Sequence, residues 1–308
     1  MQNDEVSHLE KSVEATISNR YGRIFSSIIE VSAVLNDFRI DTIGGMNAGL
    51  EIFELAILPS LLNNADVWIE LGNTSRDKLE NLQNTMFRYL FGVPVSTPTP
   101  LLRFDLGSLK MEERVTKQKL LFLYHLVCLR GKASLAGEIF DLQASYDFPG
   151  LVTECRQFLQ TYDLPNIIDR NMKVTKNQWK TLVKTKLNEK SQMEVHSEFL
   201  KYSKLIGKNF EKENLETKDY VKSMKLRDAR TYFRIRSNMV NTKMNRKNDA
   251  KYARELWKCD DCHSMDSQAH IVWCPAYAAL REGKDLNSDI DLVEYFQKVM
   301  KIREDNQL

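Results

Sequence analysis

The feature that constrains this chain most is a sixteen-residue window near its C-terminus. It holds Cys259, Cys262, His270 and Cys274 at a C-x2-C-x7-H-x3-C spacing. Two cysteines three apart can ligate one ion from a tight turn. A His and a Cys four apart project from one helical face, so the four can close a tetrahedral site. Thiolate and imidazole donors in that array suit zinc best. Four protein ligands leave no position for a reacting water, so the Zn2+ is expected to be structural. His263 lies nearby, but it directly follows Cys262 and is poorly placed to complete a tetrahedron; His270 is the expected fourth ligand. The alternative is a cluster of reduced thiols that binds nothing. Pro275 follows the last ligand and suits the start of a new helical segment.

The rest of the composition bounds the fold. A length of 308 residues allows one large or two ordinary domains. Only 12 Gly and 7 Pro are present, and long stretches carry neither, which points to an all-α protein. The N-terminus has neither a basic nor an apolar stretch of signal-peptide type. The longest apolar run, Leu120 to Leu129, is too short to span a bilayer, so no membrane partner is expected. Five cysteines, three of them at metal spacing, fit a reducing cytoplasmic or nuclear compartment. Cys128 and Cys155 sit in apolar helical surroundings and are expected to be inert core thiols. His125, in the same kind of segment, is expected to be a hydrogen-bonded core residue. No nucleophilic triad, phosphate loop or other catalytic signature is present.

Net charge is only +2, but it is segregated. Residues 171–258 hold 23 Lys plus Arg against 10 Asp plus Glu, leaving the remainder acidic. One strongly basic third is an electrostatic footprint for a polyanion. Arg227, Arg230 and Arg234 form a helical stripe at i, i+3 and i+7 that can grip phosphates. Lys222, Lys225, Arg236, Lys243, Arg246, Lys247, Lys251, Arg254 and Lys258 extend the charge up to the cysteines. Trp257, Trp273 and Tyr277 flank the ligands; they either stack on bases or fill the core of the small module.

Hydrophobic spacing supplies the helices. Leu9, Val13, Ile17, Tyr21, Ile24, Ile28, Val31 and Leu35 mark an amphipathic helix of about eight turns. An apolar segment from Leu50 to Leu62 should be buried and interrupted by Pro59. A helix capped by Thr74 or Ser75 should bury Leu79, Leu82, Met86 and Leu90 and stop at Gly92. Ser108 should cap a long helix to Arg130, and shorter helices are expected over 134–144 and 149–162. From Lys173 onward, shorter polar segments are expected, with a flexible link over 208–219. A helix over 221–240 and two C-terminal helices, over 275–282 and 292–302, complete the expectation.

These motifs also resemble a known family. An Ile57-Leu58-Pro59 segment is followed by Trp68, and Leu82-Gln83-Asn84 leads to Phe91-Gly92-Val93-Pro94. Arg227-Asp228-Ala229-Arg230-Thr231-Tyr232-Phe233-Arg234 precedes the Cys/His group ending in Cys274-Pro275. In that order they resemble the C-terminal part of the reverse transcriptase polyprotein of non-LTR (LINE-type) retrotransposons. The resemblance implies a helical thumb, a basic linker and a zinc knuckle that helps to bind RNA or DNA. It divides the chain into a thumb-like domain over 1–165, a basic helical linker over 166–245 and a knuckle module over 246–308. The family's palm carboxylates are missing: the only Asp-Asp pair, Asp260-Asp261, lies between two metal-type cysteines. The expectation is therefore a non-catalytic nucleic-acid-binding chain. A palm supplied in trans would be the partner for polymerisation. A protein-interaction scaffold whose basic tract docks an acidic partner, or an inert relic of such an element, is the alternative.

Overall fold

Ile17, Ile24, Ile28 and Leu35 are all buried along one face of α1 (Gln2–Phe38), a single helix through Gly22, as its three- and four-residue spacing requires. The computed structural model describes residues 2–38, 41–68, 71–129, 134–146, 150–168, 174–202, 213–246 and 257–305. Among them the chain is mostly helical with no strand. Three isolated antiparallel bridges, Ile43–Lys225, Leu106–Thr217 and Lys258–Met265, are the only ladder-type pairings among the described residues. No described helix is long and apolar enough to cross a membrane.

Pro59 does not interrupt the second segment. Helix α2 (Gly45–Ile52) passes through a π-helical turn, Phe53–Ile57, directly into α3 (Leu58–Leu61). The wider turn sits just before the proline, which lacks a backbone donor for the ordinary i−4 bond. The segment is also less enclosed than its composition suggests: Phe53, Ile57 and Leu61 are buried, but Leu55 is 78% exposed.

Helix α4 (Asn73–Phe91) lies against α1 and buries Leu79, Leu82, Met86 and Leu90 as expected. Gly72, rather than Thr74 or Ser75, stands at its N-cap and gives no side-chain bond. Gly92 ends it at φ 60°, in the left-handed region where glycine is unstrained. After α5 (Thr99–Asp105), α6 (Met111–Leu129) begins without a Ser108 cap. Glu113 accepts from Lys110 N at 2.8 Å instead, and the Ser108 hydroxyl accepts from Arg114. Ser134 caps α7 (Leu135–Ser145), and α8 (Leu151–Thr161) follows; Pro149 lies outside the described residues.

The expectation of short polar segments after Lys173 is corrected by α9 (Lys176–Phe199), 24 residues opened by a Thr175/Gln178 capping box. Its buried residues, Trp179, Val183, Leu187, Ser191, Val195 and Phe199, recur at strict four-residue steps. Each step overshoots a helical turn by about 40°. The stripe therefore winds around the helix, from α6, where Trp179 Nε1 donates to Leu120 O at 2.9 Å, to α5, where Phe199 meets Phe104 edge-on. A single-face template misses such a stripe.

The helix expected over 221–240 is two helices, α10 (Asp219–Ser223) and α11 (Leu226–Arg236), separated by extended backbone at Met224 and Lys225. Phe233 of α11 stacks on Phe91 of α4 with ring centroids 4.0 Å apart. One continuous hydrophobic core runs from Ile17 to Phe233, taking in residues of both the thumb-like and the linker segments. A second core gathers Ile235, Val240, Cys259, Ile271, Cys274 and Tyr277 with residues of α14 (Asp289–Asp305). Between them in sequence lie α12 (Gln268–Trp273), a 3-10 turn at Pro275–Tyr277 and α13 (Ala278–Arg281). Helix α11 contributes to both cores and joins them.

Two core assignments are corrected. His125 and Cys128 are exposed, because on α6 they share the face turned from the core. Cys155 is buried as expected, and burial pushes its thiol up to about 12.

Candidate metal centre

The ligands are positioned by a short hairpin and a capped helix. The backbone folds back at the Lys258–Met265 bridge, with Cys259 N donating to Ser264 O at 2.7 Å and His263 N to Cys259 O at 3.0 Å. His263 takes a positive φ of 59° in this turn and remains exposed, outside the ligand group. The Ser267 hydroxyl caps α12 by accepting from His270 N at 3.0 Å, which sets His270 in the first helical turn. Cys274, four residues on, ends the helix in extended backbone, the conformation favoured before Pro275.

Ligand atoms of Cys259, Cys262, His270 and Cys274 lie within 4.8 Å of one another. The Sγ atoms of Cys259 and Cys274 are 3.9 Å apart, and those of Cys262 and Cys274 are 3.8 Å apart. Cys262 Sγ to His270 Nε2 is 3.3 Å. Zinc–sulfur bonds of about 2.3 Å at tetrahedral angles place two sulfurs about 3.8 Å apart, and a sulfur and an imidazole nitrogen about 3.5 Å apart. The donor set and its spacing fit zinc. Burial raises Cys274 to about 12, so a cation in the site is what would favour its thiolate. Hydrogen bonding from the Ser264 backbone lowers Cys262.

Several residues that the sequence reading did not single out fasten this centre to the fold. Asp266 is fully buried; it accepts from Lys243 N at 2.7 Å and pairs with Arg303 of α14. Tyr295 donates its hydroxyl hydrogen to Ile271 O at 2.6 Å, and Arg281 donates to Cys274 O at 2.8 Å. Gln268 donates to Ile235 O at 2.7 Å, tying α12 to α11. Ser267 three residues before His270 was a capping signal legible in sequence. The long-range partners carry no local signature.

The basic stripe is partly turned inward. Arg230 donates to Leu90 O, Tyr89 O and Asn36 Oδ1, each at 2.8 Å, while Arg234 stays exposed and donates to Gly92 O at the surface. These guanidinium groups cover the carbonyl end of α4, where positive charge complements the helix dipole. Burial pulls Arg230 down to about 10. Arg236 pairs with buried Asp105 and donates to Glu213 at 2.6 Å. Lys243 reaches Asp260 at 2.5 Å.

Lys222, Lys225, Arg227 and Lys258 are exposed, with Arg227 3.5 Å from Asp41. Trp273 is 78% exposed, whereas Trp257 is half-buried and Tyr277 is buried. Of the two roles open to these aromatics, Tyr277 fills the second core and Trp273 faces outward. Arg246 closes a 3-10 turn, Lys243–Arg246, and Lys247, Lys251 and Arg254 lie outside the described residues. Set against protein-family models, curated proteins and solved structures, the chain matches none of them.

Proposed function

We propose that the chain binds RNA or DNA without catalysing a reaction, as the thumb-to-knuckle portion of a reverse transcriptase of the non-LTR type. The observation that carries this reading is the fit of Cys259, Cys262, His270 and Cys274 to a closed four-ligand zinc site beside an exposed indole, Trp273. Zinc there is structural. It holds the hairpin and α12 against the second core, and Trp273 stacks on an unpaired base. Lys222, Lys225, Arg227 and Lys258 bind phosphates with little sequence preference, while Arg230, Arg234 and Arg236 hold the platform. The thiols require a reducing cytoplasmic or nuclear setting, and any polymerisation requires a palm in trans.

The test is binding of the zinc-loaded chain to a short single-stranded RNA and the matching DNA across a salt series. Joint charge reversal of Lys222, Lys225, Arg227 and Lys258 should reduce the log–log salt slope by about 3, at about 0.7 for each phosphate that is no longer neutralised. Absence of binding at low salt by the folded, zinc-loaded protein would refute the reading. Primer extension by this chain alone should be nil. The engagement of Arg230, Arg234 and Arg236 by partners within the fold favours a second reading, a protein-interaction scaffold. Purification free of nucleic acid with a stable protein partner would support that reading instead.

A further inference from the structure

A second cationic surface lies on α6 and α9, in the body built on the first core. Lys176, Lys180 and Lys184 are exposed at i, i+4 and i+8 along α9, a span of about 12 Å. At the rise of about 3.4 Å per nucleotide along one strand, that span matches about three phosphates. Lys117, half-buried on α6, faces the same charges: burial and the fields of Arg114, Lys184 and Lys180 lower it below the ordinary lysine range. Arg114 is held by both oxygens of Glu54, at 2.8 and 2.5 Å. Glu54, which pairs Arg114 and partly offsets the field at Lys117, and Asp66 in the cleft lining are fewer than the cations around them, and an anion bound there would relieve the remaining repulsion.

Lys176 and Lys180 also line an open cleft of about 920 Å³ between α6, α9 and the turn over 62–66. Its α6 wall presents Phe122 and His125, whose rings are inclined at 29° with centroids 6.2 Å apart. Asn63 and Asn64 on the turn, with Gln118 on α6, add amide donors and acceptors; Asp66 is the one carboxylate among its lining residues. Lysines alone would suit any polyanion. The aromatic wall with amides beside it suits a nucleobase, which offers a π-face and a hydrogen-bonding edge.

We propose that this cleft is a second nucleic-acid site. It takes an unstacked base of a single strand against Phe122, while the neighbouring phosphates lie on Lys176, Lys180, Lys184 and Lys117. The inference extends the nucleic-acid reading above to elements that the zinc module does not use. It gives the chain two grips on one strand, which raises affinity by effective concentration.

The experiment compares the full zinc-loaded chain with a K176E/K180E/K184E variant and with Phe122→Ala. Each is titrated with a labelled single-stranded RNA and with a duplex across a salt series. The three lysines are exposed, so helicity by far-UV circular dichroism should be unchanged. The triple variant should lose about 2 from the salt slope for the single strand, at about 0.7 per phosphate neutralised. Phe122→Ala should weaken the single strand about tenfold, with the slope and duplex binding unchanged. A triple-variant slope equal to wild type would overturn the site. So would displacement of the strand by an equimolar nucleoside monophosphate, which would mark a free-nucleotide pocket. If reversal of Lys222, Lys225, Arg227 and Lys258 leaves the slope intact while the α9 variant collapses it, the zinc-side surface fails and the cleft stands. Failure of the wild type to bind any strand at low salt overturns both.

Discussion

Replacing Arg230 by Met keeps most of the side-chain stem and removes the guanidinium fork. In the structure that fork donates to Leu90 O and Tyr89 O at the end of α4, and to Asn36 Oδ1. A hydrogen bond with a charged donor contributes about 1.5–3 kcal/mol net. The bonds to Tyr89 and Asn36 are solvent-accessible and belong at or below the low end. Losing both α4 carbonyl bonds therefore costs about 3 kcal/mol. The burial penalty that already lowers Arg230 to about 10 is relieved in the variant and offsets part of this, so about 3 kcal/mol is the upper bound on the expected loss. Arg227, exposed on the same stripe and paired among the described residues with Asp41 and Asp228, should cost no more than about 0.5 kcal/mol as Arg227→Met. Urea unfolding of the two variants, followed by far-UV circular dichroism, reads the difference as a midpoint shift at constant slope. A loss below about 0.5 kcal/mol for Arg230→Met, together with abolished RNA binding, would show that Arg230 serves phosphates rather than α4.

Removing zinc with a chelator should loosen the second core while α1, α4, α6 and α9 keep their helicity; hydrogen exchange should rise around Ile271 and Tyr295 and stay low around Leu82. In the zinc-loaded protein iodoacetamide should modify Cys128 first, because it is exposed. Cys259, Cys262 and Cys274 should follow only after chelation, and Cys155 only on unfolding, an order that peptide mass mapping reads directly. Glu213 gives a pH signature: burial works to raise it, but the hydrogen bond and charge of Arg236, reinforced by Lys218, hold it below the usual carboxylate range. A depressed carboxylate stabilises the fold above its unfolded pKa of about 4.3 and loses that stabilisation as pH falls through the folded value. Glu213→Gln should therefore be less stable than wild type near neutrality, and the gap should close in acid; a gap independent of pH would refute the ion-pair account.

Much of the helical layout was legible because it rests on short-range rules. The spacing from Ile17 to Leu35 fixes one buried face of α1, and Gly92 ends α4 because the left-handed turn there strains other residues. The Cys/His spacing carried much of its own geometry, since a hairpin and one helical turn supply all four donors, while contacts from α11, α13 and α14 hold the two pieces in place. Where local rules were applied to positions with tertiary partners, the outcome differed. Pro59 was accommodated by a π-helical turn, Ser108 met Arg114 instead of a helix end, and the buried stripe of α9 spiralled between two neighbours.

The basic stripe shows the division most clearly. Sequence alone determined that Arg227, Arg230 and Arg234 share a helical face and that the third of the chain around them is cationic. Only the tertiary structure decided which of those charges remain available. The end of α4 carries unsatisfied carbonyls, and packing of Phe233 on Phe91 brings α11 alongside it, so Arg230 and Arg234 are drawn to a partner more than 130 residues away. Helical spacing is a property of a few consecutive residues, whereas the choice between solvent, phosphate and a distant carbonyl depends on which helix ends the folded core brings within reach.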